Sequence, residues 1–253
     1  MGNAPAPLKF LVGISLFGMF AILFFAICFV LLPFRTLRIK ACNYFGKTGG
    51  RAVVWVTGAK LHFEGTEHLD ASRPAIYVSN HASSLDAFMA MWLSPVGTVG
   101  IAKKEVVFYP FLGQLYLLSG HLRIDRSSPR TAVASLKSLA SFVHEHGLSI
   151  FIWPEGTRSK DGRLQRPFKK GFGHLAMQTG LPIVPIVVCG AQHCWRKGRM
   201  ELRPVDITIR VLPPIPTDGW ARKGLVDHLA TVEQAIADAL PDDQKPHPVA
   251  VAG

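Results

Sequence analysis

The chain has 253 residues, 49% of them hydrophobic, which suits one sizeable domain plus an appendage. Its formal net charge is +11, and an excess of that size has two ordinary partners, nucleic acid and an anionic lipid surface. No helix-turn-helix, zinc-finger or RNA-stacking signature is present, so nucleic acid is excluded and lipid headgroups or phosphorylated substrates remain.

From Phe10 to Phe34 no residue is charged. A helix of that stretch would be about 37 Å long, against a hydrocarbon core of about 30 Å, so an N-terminal membrane-anchoring helix is expected. A cleaved signal peptide would have a shorter apolar region and a small-residue cleavage site, whereas this one runs into Leu31-Leu32-Pro33-Phe34-Arg35. Only Lys9 precedes the stretch, and Arg35, Arg38, Lys40, Lys47 and Arg51 follow it. That asymmetry places the remainder on the cytoplasmic side of the cell (inner) membrane. Pro33, Gly13 and Gly18 also leave room for a broken or re-entrant helix. The expected organisation is an anchor and basic connector over 1–50, a catalytic domain over 51–240 and a flexible tail over 241–253.

Short strands are predicted at Leu61–Phe63, Ala75–Val78, Val99–Ala102, Ile150–Trp153, Ile183–Val188 and Ile207–Val211 from length and β-branched content. Between them, Val133, Leu136, Leu139, Ala140 and Val143 repeat at helical spacing and stop at Gly147. Phe168–Gln178 reads as helical, and Leu225, Val226, Leu229, Val232 and Ile236 mark a last amphipathic helix before Pro241. Strands separated by helices predict an α/β domain with a mixed, largely parallel sheet flanked by helices. Gly171 to Ala176 superficially fits a dinucleotide fingerprint but lacks the preceding strand that motif requires.

Asn80-His81-Ala82-Ser83-Ser84-Leu85-Asp86 follows the second predicted strand. A neutral imidazole can take a proton from an alcohol if a carboxylate fixes its tautomer and steadies the imidazolium, and His81 and Asp86 supply those parts. The alternative is a helix start, with Ser83 or Ser84 as cap and Asp86 in the first turn. Trp153-Pro154-Glu155-Gly156-Thr157-Arg158-Ser159 ends another strand with groups able to hold an anion: the Gly156 and Thr157 amides, the Thr157 hydroxyl and the Arg158 guanidinium. Arg123 and Arg126 lie in Gly120–Arg126, and Lys103-Lys104-Glu105 follows a further strand. Cys189, His193 and Cys194 offer three potential metal ligands with no fourth at a recognised spacing, so neither a metal site nor a disulfide is expected.

In this combination and order the sequence resembles the 1-acylglycerol-3-phosphate acyltransferase family, of glycerophospholipid acyltransferase type. The resemblance runs from Leu61 to Val188 through Asn80-His81 with Asp86, Gly120 to Arg126, Pro154 to Ser159, and Leu181-Pro182-Ile183-Val184-Pro185. It implies His81 as general base and Asp86 as its partner. It implies substrate binding by Asn80, Lys104, Arg126, Glu155, Gly156, Thr157 and Arg158, with Pro182 and Pro185 shaping the acyl side. The implied reaction moves an acyl group from acyl-CoA or acyl-carrier protein to the sn-2 hydroxyl of a lyso-phospholipid at the membrane, with no cofactor. Ser84 and Arg123 depart from the family's usual residues, which opens the acceptor and chain-length preference, a lyso-ornithine lipid being the alternative acceptor. A non-catalytic membrane lipid-binding protein is the rival from a different class. An acyl-enzyme route through Ser83 or Ser84 is the mechanistic rival.

Overall fold

The structure is a computed structural model and describes residues 6–108, 112–124, 128–196, 198 and 201–248. Helices α1 (Ala6–Val30) and α2 (Arg35–Thr57) lead into strands β1 (Lys60–Glu64) and β2 (Ile76–Ser79). Helix α3 (Asp86–Leu93), strand β3 (Thr98–Lys103), helix α4 (Leu112–Leu118) and strand β4 (Leu122–Ile124) follow. The remainder is α5 (Pro129–His146), β5 (Ser149–Ile152), α6 (Lys170–Thr179), β6 (Ile183–Cys189), the short α7 (Ala191–Cys194), β7 (Asp206–Val211) and α8 (Leu225–Ala239). The predicted alternation of strands and helices is present, and the chain folds as two compact units.

One unit comprises residues 1–58, 70–74 and 87–151. In it β3 pairs in parallel with β5 on one side, Thr98 opposite Ser149, and with β4 on the other, Ile101 opposite Leu122. The predicted periodic helix is α5, which buries Leu136, Leu139, Ala140 and Val143 while Val133 faces outward. Asn43 fastens α2 to the start of β3: its amide donates to the Thr98 carbonyl at 3.1 Å, and its oxygen accepts the Gly97 and Thr98 N–H groups at 2.8 and 3.0 Å. Next to α3, Gly50 permits an approach that no side chain would allow, because a Cβ there would lie 2.3 Å from the Phe88 carbonyl oxygen. The expected boundary at residue 50 therefore falls inside α2, in the middle of a packed seam.

The expected single N-terminal membrane-anchoring helix over Phe10 to Phe34 needs correction, and the alternative of a broken helix is what the chain adopts. Helix α1 ends at Val30, the chain turns through residues 31–33, and α2 begins at Arg35 and packs back on α1. Pro33, which cannot continue a helical ladder, lies in that turn. Ala21, Phe24 and Cys28 are buried on α1, with the Phe24 ring meeting Phe45 of α2 edge-on at 5.3 Å. Among the described residues no helix is long and apolar enough to cross a membrane.

The other unit comprises residues 59–69, 75–86 and 152–253, with strand order β1-β7-β6-β2. β1–β7 and β2–β6 are parallel and β6–β7 is antiparallel, which gives the mixed sheet predicted. Every residue of β2 and β6 is buried, the pattern of strands covered on both faces. β6 tolerates Pro185 because the β7 ladder starts one residue later, at Ile186–Val211, so the missing N–H falls in a gap before it.

Gly173 in α6 faces α8, where a Cβ would lie 2.4 Å from a Leu225 methyl, so the glycine-rich stretch is helix packing and not a nucleotide loop. Residues 241–248, expected to be loose, are held down: the Gln244 side chain accepts the Gly190 N–H at 2.7 Å and its carbonyl accepts the Leu164 N–H at 2.9 Å.

Candidate active site

The site grows from the C-terminal end of β2. Asn80 is buried and clamps that strand to β6, its amide donating to the Val188 carbonyl at 2.9 Å and its oxygen accepting the Val188 N–H at 2.8 Å. Its side chain thus holds the two strand ends in register immediately before His81. The chain then folds back on itself, because one carboxylate oxygen of Asp86 accepts the Ala82 and Ser83 N–H groups at 2.7 and 2.8 Å. The same oxygen lies 2.9 Å from Nδ1 of His81. Both readings of the motif are therefore realised together, since Asp86 starts α3 and also orients the imidazole.

The Asp86 side chain is 2% exposed and that of His81 17%. The second Asp86 oxygen is buried without a hydrogen-bond partner among the described residues. A carboxylate so enclosed, beside one imidazole nitrogen, stabilises positive charge on that ring more strongly than it would in water. The ring is also stacked on the Trp153 indole, with centroids 4.5 Å apart and planes 19° from parallel.

A second loop is bound to the first. After β5 the chain turns at Pro154–Gly156, where Gly156 adopts a φ of 76° and its N–H returns to the Trp153 carbonyl at 3.1 Å. Glu155 is buried there, and its two oxygens accept the backbone N–H groups of His81 at 2.6 Å and Gln165 at 2.9 Å. The Ser159 N–H donates to the His81 carbonyl at 2.8 Å, so both polar groups of the His81 backbone are tied to this loop. Arg158 donates from its guanidinium to the Ser84 hydroxyl at 2.5 Å. Burial pushes the Glu155 carboxyl up to about 8; the Asp86 charge adds to the rise, and the bonds from Gln165 and His81 oppose it.

Ser83 is fully buried; its hydroxyl donates to the Trp195 carbonyl at 2.8 Å and accepts the Leu85 N–H at 3.1 Å. Both of its polar functions are committed to holding the loop.

The structure brings together His81, Asp86, Glu155, Gly156 and Arg158 with Asn80 behind them, while Thr157 is exposed on the same turn. Two expected residues lie elsewhere. Pro182 stands at the start of β6, its carbonyl accepting the Ile76 N–H at 2.9 Å, and Pro185 lies opposite Val78 in the body of the sheet. Because β2 and β6 are parallel, these prolines belong to the strands' entry and middle, with Pro185 on the order of 10 Å of strand before His81. Lys104 is in the other unit, exposed at the start of the 3-10 turn Lys104–Phe108, and Arg126 lies outside the described residues.

Trp153, Gln165 and Trp195 complete the cluster and were not singled out as site residues from the sequence. Trp153 carried a signal, an aromatic at a strand end beside a polar turn. Gln165 and Trp195 contribute backbone groups, which no side-chain pattern reveals. Cys189 and Cys194 are separate buried thiols, and His193 contacts Gln192 and Asp243.

An imidazole paired with a buried carboxylate, and a guanidinium on the loop bound to it, are the groups that deprotonating an alcohol next to an anion requires. The acyltransferase family profile matches residues 60–189, which contain the cluster apart from Trp195, and the chain belongs to that family. Within it the chain is 49% identical over 217 residues to the 1-acyl-sn-glycerol-3-phosphate acyltransferase of Limnanthes douglasii, covering 86% of this chain and 76% of the relative. It is 47% identical to the protein of the same name from Cocos nucifera, over 87% of this chain and 70% of the other. Its place is therefore in the 1-acyl-sn-glycerol-3-phosphate acyltransferase family. The crystal structure of the 1-acyl-sn-glycerophosphate acyltransferase of Thermotoga maritima shares the fold, with a TM-score of 0.63 at 20% identity over 89% of this chain and 97% of that one.

Proposed function

We propose that the chain transfers an acyl group from an acyl-CoA or acyl-carrier-protein thioester to the sn-2 hydroxyl of 1-acylglycerol-3-phosphate, giving phosphatidic acid. The observation that carries this reading is the pairing of His81 Nδ1 with buried Asp86 at 2.9 Å, which leaves Nε2 without a hydrogen-bond partner among the described residues. In the reaction Nε2 takes the hydroxyl proton as the alcohol oxygen attacks the thioester carbon. The tetrahedral oxyanion then collapses, the C–S bond breaks and the proton passes to the departing thiolate, so an ester and a thiol are the products.

Arg158 supports an acceptor carrying phosphate, since its planar fork suits phosphate oxygens. Lys104 and Arg126 are proposed to assist it. The committed hydroxyl of Ser83 favours direct transfer over an acyl-enzyme.

Membrane attachment is part of the reading. Met19, Ile22, Leu23, Phe29 and Val30 are exposed on α1, an apolar surface of the kind that marks a membrane or partner contact. The acceptor resides in the bilayer, so α1 would hold the enzyme where its substrate is. The cationic residues after Phe34 favour the cytoplasmic face of the cell (inner) membrane.

The test supplies membranes containing the protein with one acyl donor and a panel of lyso-lipids. 1-Acylglycerol-3-phosphate is expected to be acylated fastest. Faster acylation of a lyso-ornithine lipid would replace the acceptor, and lipid binding without transfer would replace the enzyme reading.

A further inference from the structure

We propose that the recess beside the Glu155–Arg158 turn is the seat of the acyl donor's nucleotide end, the 3′-phosphorylated ADP of a coenzyme A thioester. The inference rests on the transfer reading above and narrows its donor. The recess has a volume of about 560 Å³, within the span of roughly 300–1,000 Å³ that small-molecule sites occupy. Lys160, Arg163 and Arg166 line it beyond Arg158, whose guanidinium belongs to the acceptor in the reading above, with Leu164 and Pro246 as apolar wall.

Among the described residues neither Lys160 nor Arg163 is paired with a carboxylate. Asp161 is its one carboxylate, and both Asp161 oxygens are already taken: one accepts the Ser159 hydroxyl at 2.8 Å and the Arg163 N–H at 3.1 Å, the other meets His247 at 2.7 Å. Glu233, 3.7 Å away, offsets Arg166 alone. Arg163 donates to the carbonyls of Asp242 and Lys245, which have no charge to cancel its own. Lys160 is exposed and has no ion pair among the described residues. A concave surface lined by cations without carboxylate partners and by an aliphatic wall suits several phosphates attached to a flat heterocycle.

The recess is also joined to the reacting end. Ser159 and Gln165 line it, and their backbone N–H groups bind the His81 carbonyl and Glu155 respectively. A ligand seated there therefore lies behind the loop that carries the imidazole, with its flexible arm free to reach round to Nε2. An acyl-carrier protein would present a convex acidic face, which needs a broader docking surface than a recess of this volume, so the small donor is favoured.

Two measurements test this. Adenosine 3′,5′-bisphosphate is titrated calorimetrically into the intact protein and into Lys160→Glu, a surface change that removes no internal hydrogen bond. Binding is expected to the former and to be weakened about tenfold or more in the latter. In parallel, kcat/KM is compared for acyl-CoA and for the same acyl chain on pantetheine, and the advantage of acyl-CoA should shrink about tenfold in Lys160→Glu. An undiminished advantage, a rise in the acceptor KM in its place, or a defect confined to acyl-carrier-protein donors overturns the assignment. The bisphosphate titration needs no turnover, so binding by a protein that acylates no lyso-lipid would sink the proposed reaction while leaving the recess as a nucleotide site.

Discussion

Glu155 accepts the backbone N–H of His81 at 2.6 Å while its other oxygen accepts that of Gln165 at 2.9 Å. One buried carboxylate therefore fixes the peptide that carries the imidazole to the loop that carries Arg158. It is a positioning residue, acting on the reaction through the His81 backbone. Replacing it by Ala leaves two partly buried N–H groups without their acceptor, at a cost of about 1 kcal/mol each. Glu155→Ala is expected to lower the melting temperature and kcat together, whereas Glu155→Gln, which keeps one acceptor oxygen, should recover part of both. Equal losses in the two variants would show that the bonds to the two loops are not what matters.

The same carboxyl makes stability depend on pH. Burial raises it to about 8 in the folded protein, above its ordinary value. A group raised on folding contributes its full stability below the unfolded value and loses it as pH rises through the folded one. Thermal stability should consequently decline between about pH 5 and pH 9, more steeply than in Glu155→Gln, which cannot titrate there. Parallel curves for the two proteins would assign the pH response to other groups.

Much of this was legible in the sequence for identifiable reasons. The fully buried strands β2 and β6 are continuous apolar runs, and α5 and α8 have strong helical periodicity, so their types follow from local pattern. His81 and Asp86 are five residues apart in one loop, a separation small enough for sequence to imply contact. The Glu155–His81 bond joins positions 74 apart and uses a backbone donor, so no local pattern points to it; for Glu155 the family resemblance implied substrate binding alone. Order along the chain does not say where along β6 Pro182 and Pro185 stand; the register with β2 places them before the loop that carries His81. The apolar N-terminus showed its hydrophobicity, and Pro33 marked a place where the helix could break, but the return of α2 onto α1 depends on packing that local pattern does not carry.

Arg158 makes the acceptor's phosphate the next test. Arg158→Ala is expected to raise the acceptor KM about tenfold or more and to reduce the preference for phosphorylated over unphosphorylated acceptors. Arg158→Lys keeps the charge but loses the fork, so it should fall between the two. Rates with saturating acceptor and an unaltered preference would remove the phosphate contact.

Ser84 accepts Arg158 from the loop that Ser83 anchors, which separates the two serines by experiment. Ser83→Ala removes two buried hydrogen bonds and should destabilise the fold by about 1–3 kcal/mol. Ser84→Ala should leave stability within about 0.5 kcal/mol, as for most surface changes, and weaken acceptor binding modestly by loosening Arg158. Neither should abolish turnover. Protein incubated with labelled acyl-CoA and no acceptor should carry no label; a kinetically competent adduct lost in either variant would establish the acyl-enzyme route.

His81 and Asp86 act as one unit, and their energetics should show it. His81→Ala removes the base and is expected to lower kcat by about 100-fold or more. Asp86→Asn keeps the size of the side chain and an oxygen for the Ala82 and Ser83 N–H groups. It removes the charge that steadies the imidazolium and allows the ring to take the wrong tautomer, so kcat should again fall steeply while lyso-lipid binding persists. Once the imidazole is gone the carboxylate has nothing to orient, and the double variant should be about as slow as His81→Ala alone. Measured as kcat at saturating donor and acceptor, losses that multiply across the pair would mean that Asp86 works on the reaction independently of His81.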